Sequence, residues 1–484
     1  MKIEALSLIT FLPALTGIAI SLIPSTRIHF IKKLALGISL FLFGYSLFLY
    51  QKFDPAQTFQ FEESVRWIPQ FKIFYHLGID WLSLLLILLT TFLFPISILC
   101  SWTSIQAKGF YISLLFLETG ILGAFAARDL FLFYLFWEAM LIPMYLIIGV
   151  WGGKNRIYAT VKFIIYTMVG SLFMLLAILY LYVNFETFDI GQLCVEAAKL
   201  PFSTQRWLFL AFALSFAIKT PLFPMHTWLP DAHVEAPTAG SVILAGVLLK
   251  LGVYGFLRFA IPLFPQAAIA FTPLFMTLAV IGILYGALMA LNQTDIKKLI
   301  AYSSVSHLGF VILGIFSFTP AGIIGGAYQM INHGISTGAL FLLVGAIYER
   351  THKRGIEDFG GLAQITPIYA TIFMIVTLSS IALPGLNGFV GEFLILSGTF
   401  QSCKMSAVFA GMGVVLGAVY MLKLYRQMMF GPIRPEYQDL QDTKALELSY
   451  FVPLIVLIFV MGLLPNLFLE NLNPFAQELI GFLK

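Results

Sequence analysis

The sequence predicts an all-α polytopic membrane protein of about fourteen transmembrane helices. Two observations carry that class. The first is composition: 60% of the 484 residues are hydrophobic and 11% are charged, whereas a soluble domain carries roughly 25% charged residues. The second is recurrence, because apolar runs of about 20 residues, the length that spans a bilayer's hydrocarbon core, follow one another through the chain. The spans read at 5–23, 31–50, 79–101, 109–127, 129–150, 161–183, 206–226, 239–261, 270–291, 296–316, 321–347, 366–401, 404–430 and 447–468. A stretch of alternating polarity at 58–67 reads as a short external hairpin.

Other classes drop out on composition. The net charge of +4 is modest and leaves no nucleic-acid-binding footprint. Cys100, Cys194 and Cys403 stand too far apart for a zinc, cluster or disulfide framework. No glycine-rich phosphate loop or dinucleotide fingerprint occurs at a strand-to-helix junction. The first apolar run lacks a small-residue cleavage pattern and reads as a retained helix. Lys and Arg concentrate in alternate connections, among them Lys32, Lys33, Lys108, Lys154, Arg156, Lys297, Lys298, Arg350, Lys353 and Arg354. That set is expected to be cytoplasmic, with both termini on the other side.

Two spans are interrupted. Pro221 and Pro224 break the seventh, and Leu383-Pro384-Gly385 with Asn387-Gly388 break the twelfth, since proline deletes a backbone donor and clashes with the preceding turn. Five crossings separate the breaks. A repeat unit with an odd number of crossings must insert upside down, so helices 4–8 and 9–13 are expected as inverted copies. Broken helices at matching places in two such copies point to an ion pathway. The corresponding regions are 1–108, 109–261, 262–430 and 431–484. Glu138 to Lys219 and His307 to Glu392 are similarly spaced, which fits that repeat.

Glu138, Lys219, Lys250, His307, His333 and Glu392 fall well inside predicted spans. A charge at the bilayer centre costs about 2.5–3.5 kcal/mol even on insertion scales, so such groups pair, neutralise or line water. Their chemistry suits a proton relay. Desolvation lowers a lysine's affinity for its proton, a nearby carboxylate raises it, and histidine exchanges protons near neutrality. A buried Glu–Lys pair also serves helix packing, and a membrane histidine also serves as a hydrogen-bond partner between helices. Six such groups beside two broken helices favour transport.

The run from Phe136 to Tyr145 (Phe-Trp-Glu-Ala-Met-Leu-Ile-Pro-Met-Tyr) resembles the fifth-helix motif of the antiporter-like subunits of respiratory complex I, the NADH:quinone oxidoreductase. So do Lys219 to His233 (Lys-Thr-Pro-Leu-Phe-Pro-Met-His-Thr-Trp-Leu-Pro-Asp-Ala-His), Glu235 to Thr238, Ala301 to His307 and Gly391 to Leu394. Glu392 stands where the L and N branches carry lysine, and the chain ends soon after helix 14, which points to the M branch. The resemblance implies that quinone reduction elsewhere in a complex drives proton movement here. Glu138 would sense a neighbouring subunit and modulate Lys219. Protons would pass by Lys219, His226, Lys250, His307 and His333 to Glu392. FMN, iron–sulfur clusters and quinone would be held by the complex and none by this chain. The partners implied are other membrane-arm subunits, especially antiporter-like chains L and N, in a bacterial plasma membrane. A chain of a multisubunit sodium/proton antiporter is the alternative with the same fold.

Overall fold

The computed structural model describes residues 4–54 and 57–483. Every predicted span is built on helix: α1 (Ala5–Leu22), α2 (Ile28–Lys52), α3 (Trp81–Cys100), α4 (Lys108–Ala126), α5 (Leu130–Trp151), α6 (Arg156–Phe185), α7, α8 (Thr238–Leu263), α9 (Pro265–Leu291), α10 (Ile296–Ile315), α11 (Pro320–Thr351), α12, α13 (Lys404–Met429) and α14 (Ala445–Leu463). Among the described residues, twelve helices are long and apolar enough to cross a membrane. The other two are the ones marked by proline. α7 is split into α7a (Phe202–Lys219) and α7b (Trp228–Glu235), and α12 into α12a (Pro367–Ser380) and α12b (Asn387–Ser402). A final helix, α15 (Leu472–Gly481), packs against α3 and α11.

Three local features differ from the sequence reading. The hairpin is larger than 58–67: that stretch supplies only strand β1 (Gln60–Ile68), which pairs antiparallel with β2 (Ile73–Ile79). α5 is interrupted by a turn at Met140, where Pro143 removes the amide that would bond the Ala139 carbonyl. α8 carries two π-helical turns, Leu244–Leu248 and Phe256–Ala260.

The two five-helix units share backbone devices. Asp129 caps α5 by accepting from the Phe131 and Leu132 amides, and Asp295 caps α10 by accepting from those of Lys297 and Lys298. Each cap bridges to the segment after the next helix, Asp129 to Asp189 and Asp295 to Gly355. The bonds correspond: Leu130 N to Phe188 O and Ile190 N to Arg128 O in one unit, Ile296 N to Arg354 O and Ile356 N to Thr294 O in the other. Before each bridge α6 and α11 end on a left-handed residue, Glu186 (φ 53°) and His352 (φ 54°). The breaks match as well, with Leu222 N bonding Ala217 O and Leu383 N bonding Leu378 O.

This register corrects one expectation. Counted from the caps, Glu138 corresponds to Ser304, and counted from the breaks, Lys219 corresponds to Ser380. The similar spacing of Glu138–Lys219 and His307–Glu392 therefore reflects helix length and not equivalence.

The caps lie on opposite faces, as inversion requires. Arg128 N bonds the hairpin at His76 O (2.8 Å), and the Phe74 amide donates to Asp129. On the other face Arg354 donates to Val234 O (2.9 Å), Lys297 to Ala236 O (2.8 Å) and Gly153 N to Glu235 O (2.8 Å). At the hairpin face, burial alone would raise the Asp189 carboxyl, but His76, the Gln192 amide and Arg128 outweigh it and hold it below its ordinary range. α8 and α11 are enclosed by the other helices, whereas α6 turns Ile165, Leu172 and Leu176 outward, the surface a lipid tail would meet.

Candidate functional site

The enclosed pair α8 and α11 holds the best-connected polar groups. A π turn inserts one extra residue into a helix and so frees a carbonyl from the ladder. In α8 that carbonyl is Ala245 O, and the Lys250 ammonium donates to it. The same Nζ lies 2.7 Å from His333 Nδ1 on α11. The His333 ring centroid is 6.0 Å from that of His307 on α10. His307 Nδ1 in turn lies 2.9 Å from Glu392 Oε1 on α12b. Gln329 Nε2 also donates to that oxygen (3.3 Å), and its own Oε1 accepts from Asn332 (3.0 Å). Asn387 stitches the break in α12 to α11 by donating to Ser336 Oγ (3.2 Å) and accepting from Ser379 Oγ (2.6 Å).

Four of the sequence-expected groups thus form one line: Lys250, His333, His307, Glu392. A cavity of about 10 Å³, lined by both histidines, Gln329, Asn332, Ser336 and Ser379, lies along it, room for a single water. The Nε2 atoms of His307 and His333 are buried without a protein partner. Both rings therefore use Nδ1 toward the fixed ends of the line and leave Nε2 available for a proton passed between them.

The other three groups are not joined to this line. Lys219 ends α7a, buried, with Nζ unbonded and 5.0 Å from the Trp137 ring centroid. Glu138 is half-buried; its Oε1 has no hydrogen-bond partner, and Ser171 and Lys219 are the polar groups that face it. Trp228 Nε1 donates to Ile218 O (2.9 Å), satisfying a carbonyl freed by the break. His226 lies among the rings of Phe223, Tyr285 and Tyr302, with both nitrogens unpartnered. Its charged neighbour is Lys162, paired with Asp231 at 2.7 Å.

Sequence reasoning passed over several buried groups, His233 and Glu118 among them. His233 in α7b is fully buried, stacks on Phe341 (4.5 Å between centroids) and has both nitrogens unpartnered. It lies within electrostatic reach of Lys250 and of Lys297. Lys297 borders a pocket of about 270 Å³ on the face away from the hairpin, lined also by Glu235, Thr238 and Arg354. The predicted seventh span stopped at 226, which left His233 outside it. Glu118 in α4 is also fully buried, its Oε2 accepting from Ser39 (3.3 Å) and its Oε1 unpartnered. It falls in mid-span in the sequence, so the signal was present.

Two inverted helical units, a broken helix in each and a buried lysine–histidine–glutamate line define an antiporter-like membrane protein. The chain belongs to the NADH:quinone oxidoreductase/Mrp antiporter transmembrane family, whose model matches residues 127–417. It is 45% identical over 482 residues to NADH-ubiquinone oxidoreductase chain 4 of Marchantia polymorpha, covering 98% of this chain and 97% of that one. It is 47% identical over 439 residues to NADH-quinone oxidoreductase subunit M of Rickettsia prowazekii, covering 90% and 89%. A chain in the structure of respiratory complex I from Thermus thermophilus superposes with a TM-score of 0.90 at 34% identity, covering 99% and 100%. These relatives bear out the M branch read from Glu392.

Proposed function

We propose that this chain is a proton-translocating membrane subunit of an NADH:quinone oxidoreductase. The observation that carries the reading is the line from Lys250 through His333 and His307 to Glu392. In that line Lys250 gives a proton to His333 Nδ1, and the ring releases its other proton from Nε2. A water in the small cavity carries it to His307 Nε2, and His307 Nδ1 passes one on to Glu392, the exit-side carrier. One transfer leaves Lys250 neutral, both rings in the opposite tautomer and the proton on Glu392. The line resets when Glu392 releases it, Lys250 is reprotonated and each ring returns to its starting tautomer.

Lys219 and Glu138 supply the drive. An unbonded ammonium in a low-dielectric interior binds its proton weakly, and an approaching carboxylate strengthens that hold. Movement of Glu138 relative to Lys219 would raise or lower the field felt farther along. A proton crossing 100 mV needs about 2.3 kcal/mol, the scale of such a pairing. His226 is the entry-side candidate of this unit. Regions 109–261 and 262–430 act as the two units of the pump, and 1–108 and 431–484 flank them.

The redox chemistry lies in other chains of the enzyme, where FMN, iron–sulfur clusters and quinone are expected. The partners are membrane-arm subunits, with the antiporter-like chains L and N as neighbours, in the plasma membrane of a bacterium. The family's description also covers the Mrp antiporter, which keeps a sodium/proton antiporter chain as the second reading. Redox-driven proton uptake in sodium-free membrane vesicles tests both, comparing the native chain with Glu138→Gln. The expected result is NADH-driven uptake that the substitution suppresses while the complex stays assembled. Uptake per electron that is unchanged in Glu138→Gln removes Glu138 from the mechanism. Proton movement driven by a sodium gradient and not by NADH selects the antiporter.

A further inference from the structure

Lys250 is followed on its own helix by a second set of polar groups. Tyr254 and Arg258 follow it along α8 at successive turns, and each meets a polar group of the α3 N-terminus. The Tyr254 hydroxyl lies 3.0 Å from Ser83 Oγ and donates to Phe125 O (3.1 Å). Arg258 Nη2 lies 3.0 Å from Asp80 Oδ2, and both side chains are buried. Beyond that ion pair is a pocket of about 120 Å³ lined by Asp80, Glu478, Trp81 and Phe475. It reaches the surface of the hairpin face at the exposed residues Gln57 and Pro474.

Hydroxyls both donate and accept, so Tyr254 and Ser83 are competent to relay a proton that water carries from this pocket toward Lys250, four residues back along α8. On the other side of Lys250 the next ionisable groups are the buried His233 and then Lys297, which borders the pocket at the opposite face. Water joining these groups along α8 would connect the two faces and short-circuit any gradient. One group among them cannot conduct. A guanidinium does not give up its proton in a protein, and a fixed cation repels an excess proton approaching through a narrow polar passage. Arg128 strengthens the barrier, since both guanidinium carbons sit against the Phe59 ring, at 3.3 and 4.2 Å from its centroid.

We propose that Arg258, held by Asp80, is a proton seal at the hairpin-face end of α8, which confines protons at Lys250 to the route through His333. The seal rests on the proton-translocation reading and adds to it a residue that touches none of the relay groups. A purely structural ion pair would tie α8 to α3 and have no effect on passive leak.

The test uses the assembled complex in sealed liposomes, native against Arg258→Gln, which keeps a polar side chain and removes the fixed charge. Three quantities are read: the rate of NADH oxidation, NADH-driven proton pumping, and the decay of an imposed pH gradient with no electron donor present. The expected result is a decay about tenfold faster in the variant, a factor that a small change of barrier supplies, with the rate of NADH oxidation retained. Should the single variant fail to assemble, Arg258→Gln with Asp80→Asn leaves no lone buried charge and is read the same way. A native complex that pumps, beside an assembled variant that holds its gradient as tightly, overturns the seal. A native complex that does not pump overturns the translocation reading and the seal with it.

Discussion

The first five-helix unit, α4 to α8, and the second, α9 to α13, are built alike and wired differently. Both have an aspartate cap bridged to the end of the following helix and a break closed by the same hydrogen bond. Yet Lys219 and His226 of the first unit make no side-chain hydrogen bond, whereas His307 and Glu392 of the second are hydrogen-bonded to each other and only the outer nitrogen of His307 is left open. Lys250 belongs to the first unit by sequence and to the second by contact, through His333. The backbone devices that build the scaffold have been kept in both copies, and the side chains within it have taken separate tasks. An unpartnered charge responds to a neighbour's movement, while a bonded line is preorganised to conduct.

The largest effect expected is at the junction. Lys250→Met removes the donor to His333, and redox-driven pumping in vesicles should fall about tenfold or more, the loss that goes with closing a route by more than 1.4 kcal/mol. Lys219→Met should also suppress pumping, because it removes the drive. Normal pumping in Lys219→Met beside failure in Lys250→Met would limit the first unit's part in conduction to Lys250.

Stability should divide the units the other way. Glu392→Ala strands His307 Nδ1 and Gln329 Nε2 in the interior, at about 1–3 kcal/mol for each orphaned group. Glu138→Ala removes a half-buried carboxylate whose Oε1 bonds nothing and whose one side-chain partner is Ser171, so its cost should be the smaller, about 1 kcal/mol. Thermal melting of the assembled complex carrying each variant measures the difference. Equal losses would mean that the two units are wired alike after all.

Much of this was legible in the sequence, for physical reasons. Apolar length marks the helices, and Pro221 and Pro384 mark the breaks, because both signals are local. Pro143 marked the turn in α5 in the same way and went unread. The π turns of α8 carry no such signature; the first lies where α8 packs closely on α3, and a Cβ on Gly246 would come within 2.5 Å of Leu93 Cδ1. The ionisable residues of the line could be named from their depth. Their pairing could not, because Lys250 and His333 are 83 residues apart and meet only in the fold. The repeat register was misread because it rests on caps and bridges and not on the polar landmarks that stand out in the sequence.

Gly252 offers a smaller test of the break in α7. A methyl group there would lie 2.3 Å from Thr220 Oγ1 and 2.7 Å from Thr220 N, in the break next to Lys219. Gly252→Ala should cost about 1–3 kcal/mol by overpacking and should lower pumping by displacing Lys219. A stable variant that pumps normally would show that the break tolerates movement and that the position of Lys219 is not critical.

The smallest effect tests the likeness itself. Asp129→Ala and Asp295→Ala each remove a cap that accepts two backbone amides, a loss of about 0.5–2 kcal/mol. Each aspartate has one further partner, the Phe74 amide for Asp129 and Arg354 at 2.8 Å for Asp295. Repeat equivalence therefore predicts similar shifts in melting temperature for the two variants, with pumping retained in both. A shift confined to Asp295→Ala would assign that residue's weight to the Arg354 ion pair, and the shared cap would then be a resemblance of shape without a matching energy.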